Sequence, residues 1–381
     1  MLNKILLIGS LTKDEAHGVS LGFESLVDGF KLTNINVIVI DTKGPRDSNK
    51  IGSFDFGQAV ASLKSVLLAW CSIPFRQSIY MTISLSKFGF IRDMLIIWMA
   101  RLMRKKIVLH LKGGGYKMFY SQQSRWLQYV IAVTLSLSTH IIVLSDLLRD
   151  QFDFVSGIND KLGVVPNGLT KDLCAITSTK TLPNNDQPIK ILYLSNLIPS
   201  KGYLTLLEAC IKLVRESNIK FVCDFCGAFT QTIVDGNKMG AKERKIEFQN
   251  LIEANNLKET VFYHGTVTGK IKEQMFSKAH IFVLPTCFPW EGQPLSIIEA
   301  LAFSTPIIST PFRGIPEEVL NGNNGYLIPP DNPEKLVHAI IKMVENEEKY
   351  KKMSIAAREH YNAHFTRELH LERLIKVICS S

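Results

Sequence analysis

The chain has 381 residues, of which 46% are hydrophobic and 21% charged, so it is neither a disordered nor a fibrous protein. The formal net charge of +9 is uneven, because residues 1–170 carry 19 Lys and Arg against 12 Asp and Glu. This basic first half favours an anionic partner, such as a phospholipid surface or a lipid-linked diphosphate. No motif supports nucleic acid as that partner.

Cysteines and apolar segments indicate the compartment. The seven cysteines lack the spacing of a disulfide framework. Cys223 and Cys226 form a CxxC, but no second pair of metal ligands follows, and the apolar run around them favours core cysteines. The first apolar run is too short for a signal peptide, and FGFIRDMLIIWMARLMRKK is too interrupted to span a bilayer. We expect a soluble or peripheral protein in a reducing cytoplasm.

Short apolar runs alternate with helical patterns through the first half. The predicted strands are KILLIGS, INVIVIDT, SIYMTIS, KIVLHLK, HIIVLS and LGVVPNG, and helices are predicted at 19–31, 87–103 and 118–137. Near-continuous apolar runs are typical of a parallel sheet that is covered on both faces.

The pattern stops at a polar interval, 171–188, and then starts again. The second set of predicted strands is IKILYLSNL, IKFVCDFCG, VFYHGTV, HIFVLPT, PIIST and GYLIPP, with helices at 203–215 and 294–303. We therefore predict an α/β fold of two Rossmann-like β/α/β domains, 1–170 and 189–350, facing each other across a cleft. The helical residues 351–381 are expected to brace the first domain.

Two loops of the second domain are candidate phosphate sites, since ligands of open α/β sheets bind beyond the carboxyl ends of the strands. In IPSKGY, Lys201 supplies a positive charge and Gly202 permits close backbone approach. The spacing of a P-loop is absent. By itself this pair is more often a solvated lysine at a turn.

The second loop opens the segment EGQPLSIIEA, which places Glu291 in a turn and Glu299 in an apolar helix. Pro294 suits the first position of that helix, and Glu299 follows about 7.5 Å along its axis. A ligand with phosphates at the helix N-terminus would then bring a ribose diol to Glu299. The alternative is a solvated loop glutamate and an ordinary helix glutamate.

Taken in order, these motifs resemble a known family. SNLIPSKGYLTLLEA, FCGAF, VFYHGTV, HIFVLPT, EGQPLSIIEALA, PIIST and GIPEEVLNGNNGYLIPPDNPEKL resemble the donor domain of family 4 retaining glycosyltransferases of the GT-B class, whose signature is Glu-x7-Glu. HLKGGGY, HIIVLSD and GVVPNGL match the weaker acceptor-domain pattern. The resemblance implies transfer of a hexose or N-acetylhexosamine from a nucleotide diphosphate sugar, most readily a UDP-sugar, with retention. It implies no metal cofactor, and the chain has no DxD element.

The resemblance also implies roles for individual residues. Glu299 accepts hydrogen bonds from the ribose, Glu291 contacts the transferred sugar, and Lys201 neutralises the diphosphate. The donor's sugar or diphosphate is further held by the amides around Gln293, Pro294 and Leu295.

Two positions depart from the family pattern. Asn196 stands where the family usually has an arginine, and Gln293 where it often has phenylalanine. Arg313 is a candidate replacement for the missing cation, with an ordinary surface arginine as the alternative.

In the first domain, the segment SLTKDEAHGVSLGF is expected to be a loop that approaches donor and acceptor, with Gly18 at a close-approach position. His110 and Lys112 share a strand face, and relatives often have histidine where Lys112 stands. Lys112 contacts either the donor or the acceptor rim, while His110 is either a cleft residue or a core histidine.

The apolar run 88–106 ends in four basic residues, Arg101, Arg104, Lys105 and Lys106. They form either a solvated helix end or a contact with an anionic membrane, at about 1 kcal/mol each. The resemblance implies a lipid-linked oligosaccharide acceptor in the synthesis of a surface polysaccharide (O-antigen or capsule), at the inner face of the plasma membrane. The alternatives are a UDP-sugar epimerase of the GT-B type, or a non-catalytic nucleotide- or sugar-binding partner of an assembly complex.

Overall fold

The computed structural model describes residues 4–11, 18–42, 56–169, 179–184, 186–230 and 239–380. The chain divides into two compact units: unit 1 is Met1–Lys171 with Arg367–Ser381, and unit 2 is Asp172–Thr366. Each unit contains one six-stranded parallel sheet. The predicted α/β class with two Rossmann-like sheets is therefore confirmed.

Unit 1 has the sheet order β2-β1-β3-β4-β5-β6. Its strands are β1 (Lys4–Gly9), β2 (Asn36–Asp41), β3 (Ser78–Thr82), β4 (Lys106–His110), β5 (His140–Val143) and β6 (Leu162–Val164). Its first five helices are α1 (Gly18–Lys31), α2 (Phe56–Ser72), α3 (Lys87–Leu102), α4 (Tyr116–Ser121) and α5 (Arg125–Ser136).

The core of unit 1 lies on both faces of its sheet. Alternate side chains of a strand point to opposite faces, so Leu6 and Ile8 of β1 join one buried cluster, together with residues of α2, α3 and α5. Ile5 and Leu7 join a second cluster with residues of α1. This two-sided burial explains why the strands are apolar throughout.

Unit 2 has the sheet order β12-β11-β10-β7-β8-β9. Its strands are β7 (Ile189–Leu194), β8 (Phe221–Cys226), β9 (Val261–Gly265), β10 (Ile281–Leu284), β11 (Ile307–Ser309) and β12 (Gly325–Leu327). Its helices are α6 (Tyr203–Glu216), α7 (Ala241–Ala254), α8 (Gly269–Lys278), α9 (Leu295–Ala302), α10 (Ile315–Glu318), α11 (Pro333–Val344) and α12 (Glu347–His364). The order reverses between β7 and β10, which makes this pair the topological switch point.

The C-terminal residues are divided between the units. Helix α12 packs on α9 of unit 2, whereas the last helix, α13 (Arg367–Cys379), packs on α1 and β3 of unit 1. Leu374 and Ile378 of α13 are fully buried in the second cluster of unit 1. Of the expected bracing segment 351–381, α13 thus belongs to unit 1 and the part of α12 within it to unit 2.

One predicted helix is two helices. The periodic pattern at 118–137 is interrupted between α4 and α5, where Ser124 has extended backbone angles (φ −62°, ψ 152°) as the residue before α5. The side-chain amide of Gln123 donates to the carbonyl oxygen of Phe119 at 2.6 Å and so occupies the end of α4. Apolar periodicity does not reveal such a break, because α4 and α5 each bury apolar residues.

Candidate functional site

The loops that follow β7 and β10 meet at the switch point of unit 2. The amide of Cys287 donates to the carbonyl oxygen of Ser200 at 2.7 Å, which ties the two loops together. Gly202 has φ +79°, and a Cβ atom there would overlap the carbonyl oxygen of Pro285. Glycine is therefore required at this position both for its left-handed backbone and for the close approach of the loops.

Lys201 and Glu291 come together at this edge. Lys201 Nζ lies 3.4 Å from Glu291 Oε2 and 5.1 Å from the centroid of the Phe288 ring. The Thr286 hydroxyl donates to the same carboxylate oxygen at 3.3 Å, and Glu291 is only 8% exposed. A cation and a carboxylate, predicted separately from sequence, thus form one polar centre beyond the strand ends.

Glu299 lies in the second turn of α9 and is paired with a residue that the sequence analysis did not single out. Lys272 of α8 places its Nζ 2.5 Å from Glu299 Oε1. Burial raises the pKa of the Glu299 carboxyl, and the charge of Lys272 opposes that rise. No local motif marks Lys272, because it lies 27 residues before Glu299 on a different helix.

Pro294 was expected at the first helical position, but α9 begins one residue later. Pro294 has φ −64° and ψ 117°, an extended conformation that precedes the helix. Leu295 is therefore the first helical residue. Gln293, beside them, is 4% exposed.

Asn196, which stands where the family usually has arginine, and Arg313, the candidate replacement, lie in different loops. Asn196 is exposed just beyond β7. Arg313 has φ +52°, an uncommon conformation for a residue with a side chain. The amide of Gly314 donates to the carbonyl oxygen of Gly292 at 3.0 Å, so the Arg313 loop lies against the Glu291 loop. The Arg313 loop thus borders the Glu291 loop, while Asn196 lies just beyond the end of β7 in the loop that carries Lys201.

Glu318 is a second residue that sequence analysis missed. It is fully buried at the end of α10, and no described residue donates a hydrogen bond to either carboxylate oxygen. Burial raises its pKa well above the ordinary value, and the charges of Glu291 and Glu317 raise it further. The Glu318 carboxyl therefore lies near enough to the Lys201–Glu291 centre for the charge of Glu291 to raise its pKa.

The candidates in unit 1 are mostly buried. His110 is fully buried, and its Nδ1 lies 2.7 Å from the Tyr80 hydroxyl, which fits the core-histidine alternative. Lys112 has a buried Nζ against Gly22, and burial lowers its pKa to about 7. Gly18 is the first residue of α1, so the end of the expected loop is helical, and residues 12–17 lie outside the described part of the chain.

The four basic residues at the end of α3 have different surroundings. Arg101 and Arg104 are exposed, but Lys105 Nζ donates to the carbonyl oxygen of Pro74 at 3.0 Å. Lys106 Nζ donates to the carbonyl oxygen of Val377 at 2.8 Å and so anchors α13. Two of the four candidates are thus engaged within unit 1.

Neither a metal cluster nor a membrane span is found in the described ranges. No three His, Cys, Asp or Glu side chains there are grouped as metal ligands would be. None of the helices in those ranges combines the length and the apolar character that crossing a bilayer requires.

Comparison with known proteins places unit 2 beside glycosyltransferases. Residues 176–360, which include Lys201, Glu291 and Glu299, match the family model described as "Glycosyl transferases group 1". The chain is 24% identical over 196 residues to the amylovoran biosynthesis glycosyltransferase AmsK of Erwinia amylovora, covering 50% of this chain and 45% of that protein. It is 26% identical over 203 residues to the putative colanic acid biosynthesis glycosyltransferase WcaL of Escherichia coli, covering 51% and 47%. The chain thus spans about half the length of the curated relatives it matches.

The fold extends the likeness to both units. The crystal structure of Anabaena HepE in complex with UDP superimposes with a TM-score of 0.71 and 17% identity, covering 99% of this chain and 100% of that one. At this identity the likeness shows the fold, which is that of GT-B glycosyltransferases.

Proposed function

We propose that this chain is a glycosyltransferase that moves a hexose or N-acetylhexosamine from a nucleoside diphosphate sugar, most readily a UDP-sugar, to an acceptor hydroxyl. The Lys201–Glu291 centre carries the proposal, because it lies at the switch point where open α/β sheets bind nucleotides. The match to group 1 glycosyltransferases and the UDP complex of HepE support it.

The chemistry assigned to the centre is stabilisation of a leaving diphosphate. Lys201 supplies the positive charge where negative charge develops, at about 3–4 kcal/mol of transition-state stabilisation. We assign the amides of Leu295 and Ser296, at the start of α9, to the same group, because helix N-termini favour phosphates. Glu291 accepts hydrogen bonds from the transferred sugar and Glu299 from the ribose. The proposal needs no metal ion, since Lys201 and these amides supply the charge.

We also propose that the transfer retains the configuration at the anomeric carbon of the sugar. The acceptor hydroxyl attacks the anomeric carbon on the face from which the diphosphate departs, and the leaving phosphate takes the hydroxyl proton. Glu291 is paired with Lys201 and Thr286, which suits a hydrogen-bonding role better than that of a nucleophile.

The acceptor proposed is a lipid-linked oligosaccharide of a surface polysaccharide, used at the inner, anionic face of the plasma membrane. The names of AmsK and WcaL support the polysaccharide class. Residues 56–145 support the location, because they hold eleven Lys and Arg and a single acidic residue, Asp93. Asp93 is buried and bonded to Arg92 at 2.6 Å, so it presents no negative charge to an anionic surface.

This basic region also exposes an apolar face. The exposed apolar side chains form one stripe on each of two helices, and we call the two stripes together the α2–α3 face. They are Val60, Leu63, Leu67 and Trp70 on α2, and Phe88, Ile91, Leu95, Trp98 and Leu102 on α3. The spacings of three and four residues put each stripe on one side of its helix. Trp70 Nε1 donates to the Leu95 carbonyl oxygen at 3.1 Å, which joins the stripes.

The occupant proposed for the α2–α3 face is an anionic bilayer surface. The rim of the α2–α3 face carries exposed Lys64, Lys87 and Arg101. Pairing two copies of the chain through this face would therefore bring like charges together. Tryptophan and basic residues around an apolar stripe are typical of interfacial helices. The apolar part of α3, which could have been wholly packed on the sheet, is therefore part of the membrane candidate.

The membrane proposal is tested by flotation with vesicles of phosphatidylcholine, with and without phosphatidylglycerol. We expect binding to the anionic vesicles only, and a loss of at least fivefold in W98S/L102S. The control L32S removes an exposed leucine of unit 1 outside this face. Equal binding by W98S/L102S and L32S would overturn the proposal.

The catalytic proposal is tested by calorimetric titration of UDP, and of GDP in parallel, into wild type and E299A, followed by assays with UDP-sugars and lipid-linked acceptors. We expect UDP binding that E299A loses, and sugar transfer only when the acceptor is present. Turnover of the sugar without acceptor would favour an epimerase. Failure of both nucleotides to bind would favour the non-catalytic alternative.

A further inference from the structure

We propose that Lys272 is a positioning residue of the nucleotide site: it holds one oxygen of Glu299 so that the other accepts the cis-diol of the donor's ribose. The inference rests on the function proposed above and deepens it. It concerns a residue outside the Glu-x7-Glu signature, on a different helix.

The contact with Lys272 engages only one oxygen of the Glu299 carboxylate. Lys272 Nζ lies 2.5 Å from Glu299 Oε1, and no described residue donates to Oε2. The two side chains are 29% and 16% exposed, so the pair lies at the edge of unit 2 rather than deep in its core. A charge-assisted hydrogen bond of this kind fixes the rotamer of the carboxylate and leaves its second oxygen free for a ligand.

Without Lys272, Glu299 would lose its orientation, and the pKa of its carboxyl would rise further. Its helix neighbours Ile298 and Leu301 are fully buried, and a carboxylate among apolar side chains is stable only when paired. Burial raises the pKa of Glu299, and Lys272 is the charged group that opposes this rise. A protonated carboxyl has less acceptor capacity and cannot serve both hydroxyls of a diol as well.

Among the described residues, no other lysine or arginine near α9 takes the place of Lys272 at the Glu299 carboxylate. Arg358 of α12 donates to the carbonyl oxygen of Ala302, at the far end of α9. Lys180 donates to the Thr305 hydroxyl at 2.7 Å, beyond that helix end. Among the described residues, only Lys272 contacts the Glu299 carboxylate.

The experiment compares the affinities of UDP and 2′-deoxy-UDP for wild type, K272M, K272R and K270M between pH 6 and pH 8. K270M removes an exposed lysine from the same helix and is the matched control. We expect wild type to prefer UDP about tenfold, as one hydrogen bond to a charged group allows. K272M should lose about tenfold in UDP affinity and little for the deoxy ligand.

The pH profile separates positioning from a structural role. In K272M the pKa of Glu299 rises, so the preference for UDP over 2′-deoxy-UDP should increase with pH more steeply than in wild type. This ratio cancels the ionisation of the terminal phosphate, which both nucleotides share. K272R should restore both the preference and its wild-type pH dependence. Equal losses for both nucleotides in K272M, with the wild-type pH dependence of the ratio, would overturn the inference. A wild type that binds neither UDP nor 2′-deoxy-UDP would instead overturn the proposed function.

Discussion

Lys201 Nζ lies 3.4 Å from Glu291 Oε2, although one follows β7 and the other follows β10. The sheet order brings them together, because β7 and β10 are neighbours at the switch point. The Glu291 carboxylate is thus a direct partner of this cation. In the function proposed above, a diphosphate bound at the same edge would share Lys201 with Glu291.

The first prediction concerns the charge of Lys201. We expect K201M to lower kcat/KM for sugar transfer by a factor of about 10²–10³, because the leaving diphosphate loses its cation. The control K220M removes a lysine that is 63% exposed in the same unit. Steady-state assays compare the two variants. Transfer by K201M at the rate of K220M would contradict the assigned phosphate site.

The second prediction concerns Gly202. We expect G202A to destabilise unit 2 by about 2–4 kcal/mol, because an added Cβ overlaps the carbonyl oxygen of Pro285 in addition to the cost of the left-handed backbone. Gly322 has φ +83° with no atom near an added Cβ, so G322A measures the backbone cost alone. Urea unfolding gives both values. Similar losses in the two variants would contradict the required close approach of the loops.

The third prediction concerns the buried Glu318. Its folded-state pKa lies well above the ordinary value of 4.5, so its contribution to stability is present below pH 4.5 and is lost as pH rises toward the folded-state pKa. We expect E318Q to become more stable than wild type as pH rises, by at most about 1.4 kcal/mol per pH unit.

Thermal unfolding between pH 5 and pH 8 tests this prediction. The exposed Glu348 of unit 2 provides the control E348Q, which should follow wild type at every pH. A constant difference between E318Q and wild type across this range would show that the Glu318 carboxyl does not titrate as argued.

The fourth prediction concerns α13. Leu374 is fully buried in the core of unit 1, so L374A should destabilise that unit by about 2–5 kcal/mol through lost burial and a cavity. L32A truncates a leucine that is 82% exposed and should cost little. Unfolding followed by hydrogen exchange in β3 distinguishes the variants. If L374A protected β3 as well as L32A does, α13 would not be part of the unit 1 core.

The sequence by itself determined the strands and the class of fold, and it singled out the residues that we propose for the donor site. Apolar runs such as KILLIGS are local signals, because a strand that is buried on both faces must be apolar throughout. Lys201, Gly202 and Glu291 were found for a similar reason: each stands where a strand gives way to a loop, and loops of this kind carry the polar and glycine residues of a site.

Only the tertiary structure decided which side chains are partners. Lys272 contacts Glu299, Lys106 contacts Val377, and Glu318 is buried with no donor among the described residues. None of these facts has a local sequence pattern. The exposed α2–α3 face was likewise hidden, since an apolar helix residue has the same sequence signal whether it faces the sheet or the solvent. Packing, rather than composition, decides burial, and burial then decides which charges must be paired.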